Sequence, residues 1–183
     1  ANCSAFDEIA VVVIADLKSE IRSEISQMLA ETTLPLGHTV RELAMDEIAV
    51  ALPLLEHSGA LTDYDLIDVA SSKSQDHLMA VTRRGSIAEL VSQALVAHGE
   101  DEVVASLLGN KGAQIGRDTY EEVTERAIDS AMLQAPFVRR QGAPLDLLND
   151  LYVAVAPELR QEILKQYEHV SPAELDAALE RSR

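Results

Sequence analysis

Two arginine pairs, Arg83-Arg84 and Arg139-Arg140, stand out among the residues that can do chemistry, and Lys111 falls between them. The chain carries 15 Lys plus Arg against 31 Asp plus Glu, so cations at repeating places form a candidate anion site. A guanidinium binds a carboxylate through two parallel hydrogen bonds, which suits an acidic peptide. The same arginines have a plainer use. Near helix C-termini they complement the macrodipole, and at a surface they pair with acidic neighbours such as Glu56, Asp101 or Glu102 for little energy. Both readings stand at this point. His57 and Asn110 occupy places that match those of the arginines, and the candidate binding set is Arg83, Arg84, Lys111, Arg139, Arg140, His57 and Asn110.

Other chemistry has less support. His38, His57, His77, His98 and His169 are scattered, and no His-Glu-x-x-His occurs. A zinc site needs three or four convergent ligands, so no metal is expected. Gly-x-Ser-x-Gly is absent, and no Ser-x-x-Lys occurs in a catalytic setting. Gly109-Asn110-Lys111-Gly112 lacks the spacing of a phosphate loop and reads as a turn after a helix. Acidic clusters recur at Asp63, Asp65 and Asp68, at Glu100 to Glu102, and at Glu121, Glu122 and Glu125. They lack the ligand order of a calcium loop and fit helix first turns, where carboxylates complement the dipole. No catalytic residue and no cofactor are expected.

The elements that must position these residues are helices. Ile87, Leu90, Val91, Ala94 and Leu95 fall on one helical face, as do Ile21, Ile25, Met28 and Leu29, and Leu159, Ile163, Leu164 and Tyr167. Capping-box spacing occurs at Thr39/Glu42, Thr62/Asp65, Ser86/Glu89, Asp118/Glu121 and Ser171/Glu174, and Pro172 suits a first helical position. Gly59, Gly85, Gly99, Gly112 and Gly142 follow apolar runs and read as stops. With 183 residues, 47% of them hydrophobic and only 3% aromatic, the core must be aliphatic and helical, in one domain or one repeat array.

The segments repeat. Leu54-Leu55-Glu56-His57-Ser58-Gly59-Ala60 resembles Leu107-Leu108-Gly109-Asn110-Lys111-Gly112-Ala113, with Ala80 to Ser86 between them and Phe137 to Ala143 after them. This makes His57, Arg84, Asn110 and Arg140 equivalent, at steps of 27, 26 and 30 residues. Pro53 and Pro136 each precede a stop glycine by six residues and should disturb their helices alike. Each unit reads as helix, Gly-containing turn, helix, with second helices around Leu66–Ala70, Ile87–Val96, Tyr120–Ala127 and Leu145–Val155. Such units bury their apolar faces only by stacking.

The whole reads as a single domain over residues 1–183, with an N-terminal helix pair (1–30), repeats (31–155) and C-terminal helices (156–183) ending in a charged Glu180-Arg181-Ser182-Arg183. The first helix, Phe6 to Leu17, is apolar nearly all round and needs a cover, either the next hairpin or a second copy in a homodimer. The chain begins at Ala1 without Met, which reads as a trimmed chain or a piece of a longer one.

One stretch points to a family. Leu43-Ala44-Met45-Asp46-Glu47-Ile48-Ala49-Val50-Ala51-Leu52-Pro53-Leu54-Leu55-Glu56-His57-Ser58, followed by Leu61 to Leu66, resembles a bacterial family known only as domain of unknown function 2336. The likeness runs on through Ala80-Val81-Thr82-Arg83-Arg84, Val91 to Leu95 and Leu107 to Ala113, over roughly residues 5 to 155, and departs from the pattern near Leu34-Pro35-Leu36-Gly37. The resemblance implies an all-α fold, an α/α superhelix of HEAT-like hairpin repeats, and members longer than this chain. It implies no activity.

The expected function is a non-enzymatic scaffold that binds a protein or peptide. The alternatives are a HEAT-like nucleic-acid-binding protein and an enzyme using an acidic cluster. A net charge of -16 repels phosphate backbones and anionic membranes. The longest apolar run, Ile9 to Ala15, is too short to span a bilayer. No basic segment of a signal peptide precedes that run, and the lone Cys3 cannot form an intrachain disulfide; both fit a cytoplasmic location.

Overall fold

Helices make up most of the described chain. The computed structural model describes residues 2–32 and 34–167. These form α1 (Asn2–Ala15), α2 (Ser19–Ala30), α3 (Gly37–Ala44), α4 (Ile48–His57), α5 (Asp63–Ser72) and α6 (Gln75–Val81). They continue as α7 (Glu89–His98), α8 (Asp101–Gly109), α9 (Arg117–Asp129), α10 (Ala131–Arg139), α11 (Leu145–Tyr152) and α12 (Pro157–Tyr167). The fold of the described residues is all-helical. His169, the Ser171/Glu174 signal, Pro172 and the charged end at Glu180 to Arg183 lie outside them. No described helix is long and apolar enough to cross a membrane.

Packing links every second helix. The sequence α2, α4, α6, α8, α10 and α12 makes one layer of successive contacts, and α5, α7, α9 and α11 make another. Neighbours along the chain pack well across the short connections, α5 on α6, α7 on α8, α9 on α10 and α11 on α12. The packed hairpins are therefore shifted by one helix from the expected unit, and the Gly-containing segments join one hairpin to the next. The core is one cluster running from Leu29 to Ile163. It is aliphatic, with Leu54, Leu55, Leu78, Leu95, Leu107, Leu133 and Leu148 fully buried. Phe137 and Tyr120 are the aromatic exceptions, their rings edge-on at 5.8 Å.

Local expectations divide according to what the neighbouring hairpins contribute. Thr62 and Asp65 form the capping box at α5. Thr39 does not cap. It lies inside α3, and its hydroxyl donates to the buried Asp7 carboxylate of α1 at 2.6 Å. The same carboxylate accepts from the His38 and Thr39 N–H groups, both at 2.9 Å, so α1 supplies the first-turn acceptor that α3 lacks. Desolvation raises the Asp7 pKa, but the hydrogen bonds from Thr39 and His38 outweigh it and hold the group below the ordinary carboxylate range. Asp118 likewise sits inside α9, behind Gly116.

Ser86 and Ile87 are not helical either. Ile87 forms an isolated parallel bridge with Ala113, donating to Gly112 O at 3.2 Å and accepting from Gln114 N at 2.9 Å. Residue 112 must be glycine for this approach, because a Cβ there would lie 2.0 Å from the Gly85 carbonyl oxygen. Gly142 is the stop glycine with a left-handed backbone, at φ 82. Pro53 and Pro136 do lie inside matching helices, α4 and α10. Pro53 cannot donate to Ala49 O, and Ser23 of α2 supplies that hydrogen bond at 2.9 Å.

Not every apolar stripe faces inward. Met28, Leu90, Ile21 and Leu164 are exposed although their helices have the expected period. On α1, Phe6, Ile9, Val12 and Val13 are each more than half exposed, so the neighbouring helices leave that face of α1 open.

Candidate functional site

A helix ends with carbonyls that lack intrahelical donors, and a stacked array must satisfy them at each level. Here the next hairpin does so. Arg84, just after α6, donates to the α4 end at Leu55 O (2.7 Å) and Ser58 O (2.8 Å). Arg140, just after α10, donates to the α8 end at Leu108 O (2.7 Å), Asn110 O (2.8 Å) and Ala113 O (2.5 Å), and its Nε donates to the Tyr120 hydroxyl (2.9 Å). Asn110, just after α8, donates to Thr82 O and Arg84 O at 2.7 Å each, beyond α6. Its Oδ1 accepts from Gly112 N. Three of the four matching positions, Arg84, Asn110 and Arg140, thus act as clamps between levels. Burial pushes the Arg84 guanidinium below its ordinary pKa, with the Asp63 charge partly offsetting it.

A fourth clamp lies outside the predicted set. Arg126 of α9 donates to Val96 O (2.9 Å), Gly99 O (3.1 Å) and Asp101 Oδ1 (2.5 Å), closing the α7 end in the other layer. The signal was present, because Arg126 follows Val96 by 30 residues, as Arg84 follows Leu54. Hydrogen bonds from Ser130 and Arg126 hold Asp101 below the usual carboxylate range.

The first arginine of each pair looks outward. Arg83 meets Glu56 at 3.0 Å, and Arg139 meets Glu162 at 2.9 Å. Hydrogen bonding between Arg139 and Glu162 raises the arginine pKa and lowers the glutamate's. The acidic clusters serve similar pairs. Asp65 and Asp68 meet Arg41, and Glu121 meets Arg117. Among the described residues no three His, Cys, Asp or Glu side chains converge on one point.

Lys111 differs. It is exposed just beyond the end of α8, with no ion-pair partner among the described residues. It borders an open groove of about 710 Å³ between the ends of α8 and α10. The apolar side of the groove is Ala105, Leu108, Ala135 and Pro136, and its polar rim is Lys111, Arg139, Arg140 and Gln141. Three of the seven candidate residues therefore meet at one groove. Arg83 and Arg84 lie elsewhere on the array, Asn110 is taken up between levels, and His57 lines a separate pocket at the ends of α2 and α4.

A family model described as "Uncharacterised protein conserved in bacteria (DUF2336)" matches residues 50–183. That match starts inside α4 and covers the helices that carry the clamps and the groove, while α1 to α3 precede it. It begins later than the resemblance read from the sequence and runs to residue 183. No curated protein and no solved structure matches the chain. With most of its length inside the match, the chain belongs to this uncharacterised bacterial family.

Proposed function

We propose that the chain is a non-enzymatic scaffold for a protein partner in the cytoplasm. In this reading it is a HEAT-like α/α superhelix whose α8–α10 groove holds a segment carrying acidic and apolar residues. The observation that carries the reading is Lys111, an exposed ammonium on the rim of an apolar groove in a chain of net charge -16. Its charge attracts carboxylates where the rest of the molecule repels them. Ala105, Leu108, Ala135 and Pro136 offer the apolar side chains of such a segment a place to bury. The alternation of packed helices in two layers supports the superhelix.

The test uses a fluorescent peptide alternating Glu and Leu, and the same peptide with Lys for Glu. The acidic peptide is expected to bind, the basic one not. Lys111→Glu should weaken binding about five- to tenfold by reversing one partly desolvated charge. Equal binding of both peptides, or an unchanged affinity in Lys111→Glu, would sink the reading. Duplex DNA titrated at low salt completes the comparison, and binding there would favour the nucleic-acid alternative. Charge reversal at Arg84 and Arg140 is a poor test, because both hold the fold together.

The open face of α1 supports a second reading, a homodimer through that helix. Phe6 and Ile9 are each 62% exposed, and Val12 and Val13 continue the patch. Light scattering after size exclusion should report a dimer at high concentration, and Ile9→Asp with Val13→Asp should return a monomer. A wild-type monomer throughout the accessible range rules the dimer out.

A further inference from the structure

The clamp positions repeat, but the first of them is open. Segments 54–60 and 107–113 align residue for residue, and Arg84 and Arg140 reach the same paired leucine carbonyls in each, Leu54 and Leu55 or Leu107 and Leu108. In this register His57 stands where Asn110 stands. Asn110 reaches back 28 and 26 residues, to Thr82 and Arg84. The same steps from His57 land on Leu29 and Glu31, at the C-terminal end of α2.

His57 does not make that contact. Its side chain is 65% exposed, with Nε2 3.5 Å from Glu56. Among the described residues the Leu29 carbonyl accepts from the Glu31 and Thr32 N–H groups and the Thr32 hydroxyl, and no side chain of α4 reaches it. Between the two helix ends lies an open pocket of about 540 Å³ bordered by Ala30, Glu31, Leu34, His57 and Gly59.

We infer that this pocket binds an arginine side chain of a partner protein, held as Arg84 and Arg140 are held one and three levels further along. A helix C-terminus presents partial negative charge and carbonyl acceptors. Glu31 adds a carboxylate on the same rim. A guanidinium can fork between carbonyl and carboxylate acceptors, whereas a lysine ammonium is a point charge. Leu34 and Ala60 offer apolar surface for the aliphatic stem. The site lies apart from the α8–α10 groove and selects the opposite charge, so each can fail without the other.

The experiment titrates the 15N-labelled chain with N-acetyl-arginine amide and, separately, N-acetyl-lysine amide. The arginine probe should give saturable shifts at the amides of Ala30, Glu31, Gly59 and Ala60, and the lysine probe should bind several-fold more weakly. His57→Arg places a guanidinium there from within and should weaken the arginine probe at least about tenfold. Glu31→Gln removes the carboxylate from the rim and should weaken the arginine probe several-fold. Positions 57 and 31 are exposed, so both variants should fold. The absence of saturable shifts at those amides, or an undiminished affinity in His57→Arg, overturns the inference.

Discussion

Arg140→Ala is expected to lower the unfolding free energy by about 3 kcal/mol, because one change removes a charged donor from several half-buried carbonyls. The guanidinium holds Leu108 O, Asn110 O and Ala113 O together and is itself positioned by Tyr120. Arg140→Lys should recover less than half of the loss, since an ammonium cannot span three divergent acceptors. Arg139→Ala, which breaks only an exposed pair with Glu162, should leave the midpoint nearly unchanged. Urea denaturation measures all three. A midpoint for Arg140→Ala matching that of Arg139→Ala would show that the clamp does not hold the array together. Arg140 donates to Asn110 O, and Asn110 donates to Arg84 O. The double variant of Asn110 and Arg140 should therefore depart from additivity by about 0.5 kcal/mol or more.

Arg117→Ala should cost about 2–3 kcal/mol by a different route, with Arg117 itself more than a third exposed. Asp146 of α11 is 4% exposed, and Arg117 of α9 grips both its carboxylate oxygens. Hydrogen bonds to Asp146 and then to Glu121 raise the arginine pKa above its ordinary value. Truncating Arg117 takes a two-pronged charged partner from a buried carboxylate, and that desolvated charge is the source of the loss. Replacing both residues with apolar ones, Arg117→Met with Asp146→Leu, should regain much of it. Thermal unfolding of the two variants decides the matter. If the double variant is no more stable than Arg117→Ala, the buried carboxylate is not the cause.

The equivalence of Arg84, Asn110 and Arg140 was legible because a stacked array returns each segment to the same environment, and glycine and paired leucines mark the return. What these side chains hold was not. A guanidinium donates to any carbonyl within reach, and the offset between levels selects Leu55 and Ser58 over Glu56. Thr62 and Asp65 cap as their spacing indicates, since a capping box is closed by residues three apart. Thr39 has the same spacing to Glu42, yet Asp7, 32 residues earlier, takes its hydroxyl. Ile87 fits a helical face, but pairing with residues 112–114 keeps it extended.

The helical class, the Gly-punctuated connections, the recurrence of similar segments and the family were readable along the chain, because these rest on periodicity and short-range spacing. The tertiary structure alone settles which helices pack as hairpins, which arginines are consumed as clamps, and that Lys111 keeps no ion-pair partner among the described residues. It also decided that His57 stands beside an open helix end. These outcomes depend on distances between residues about 23 to 33 apart in sequence, set by how one hairpin settles on the next. No local pattern encodes that offset. It follows from the packing of aliphatic side chains between levels, where a shift of one turn reassigns every polar partner.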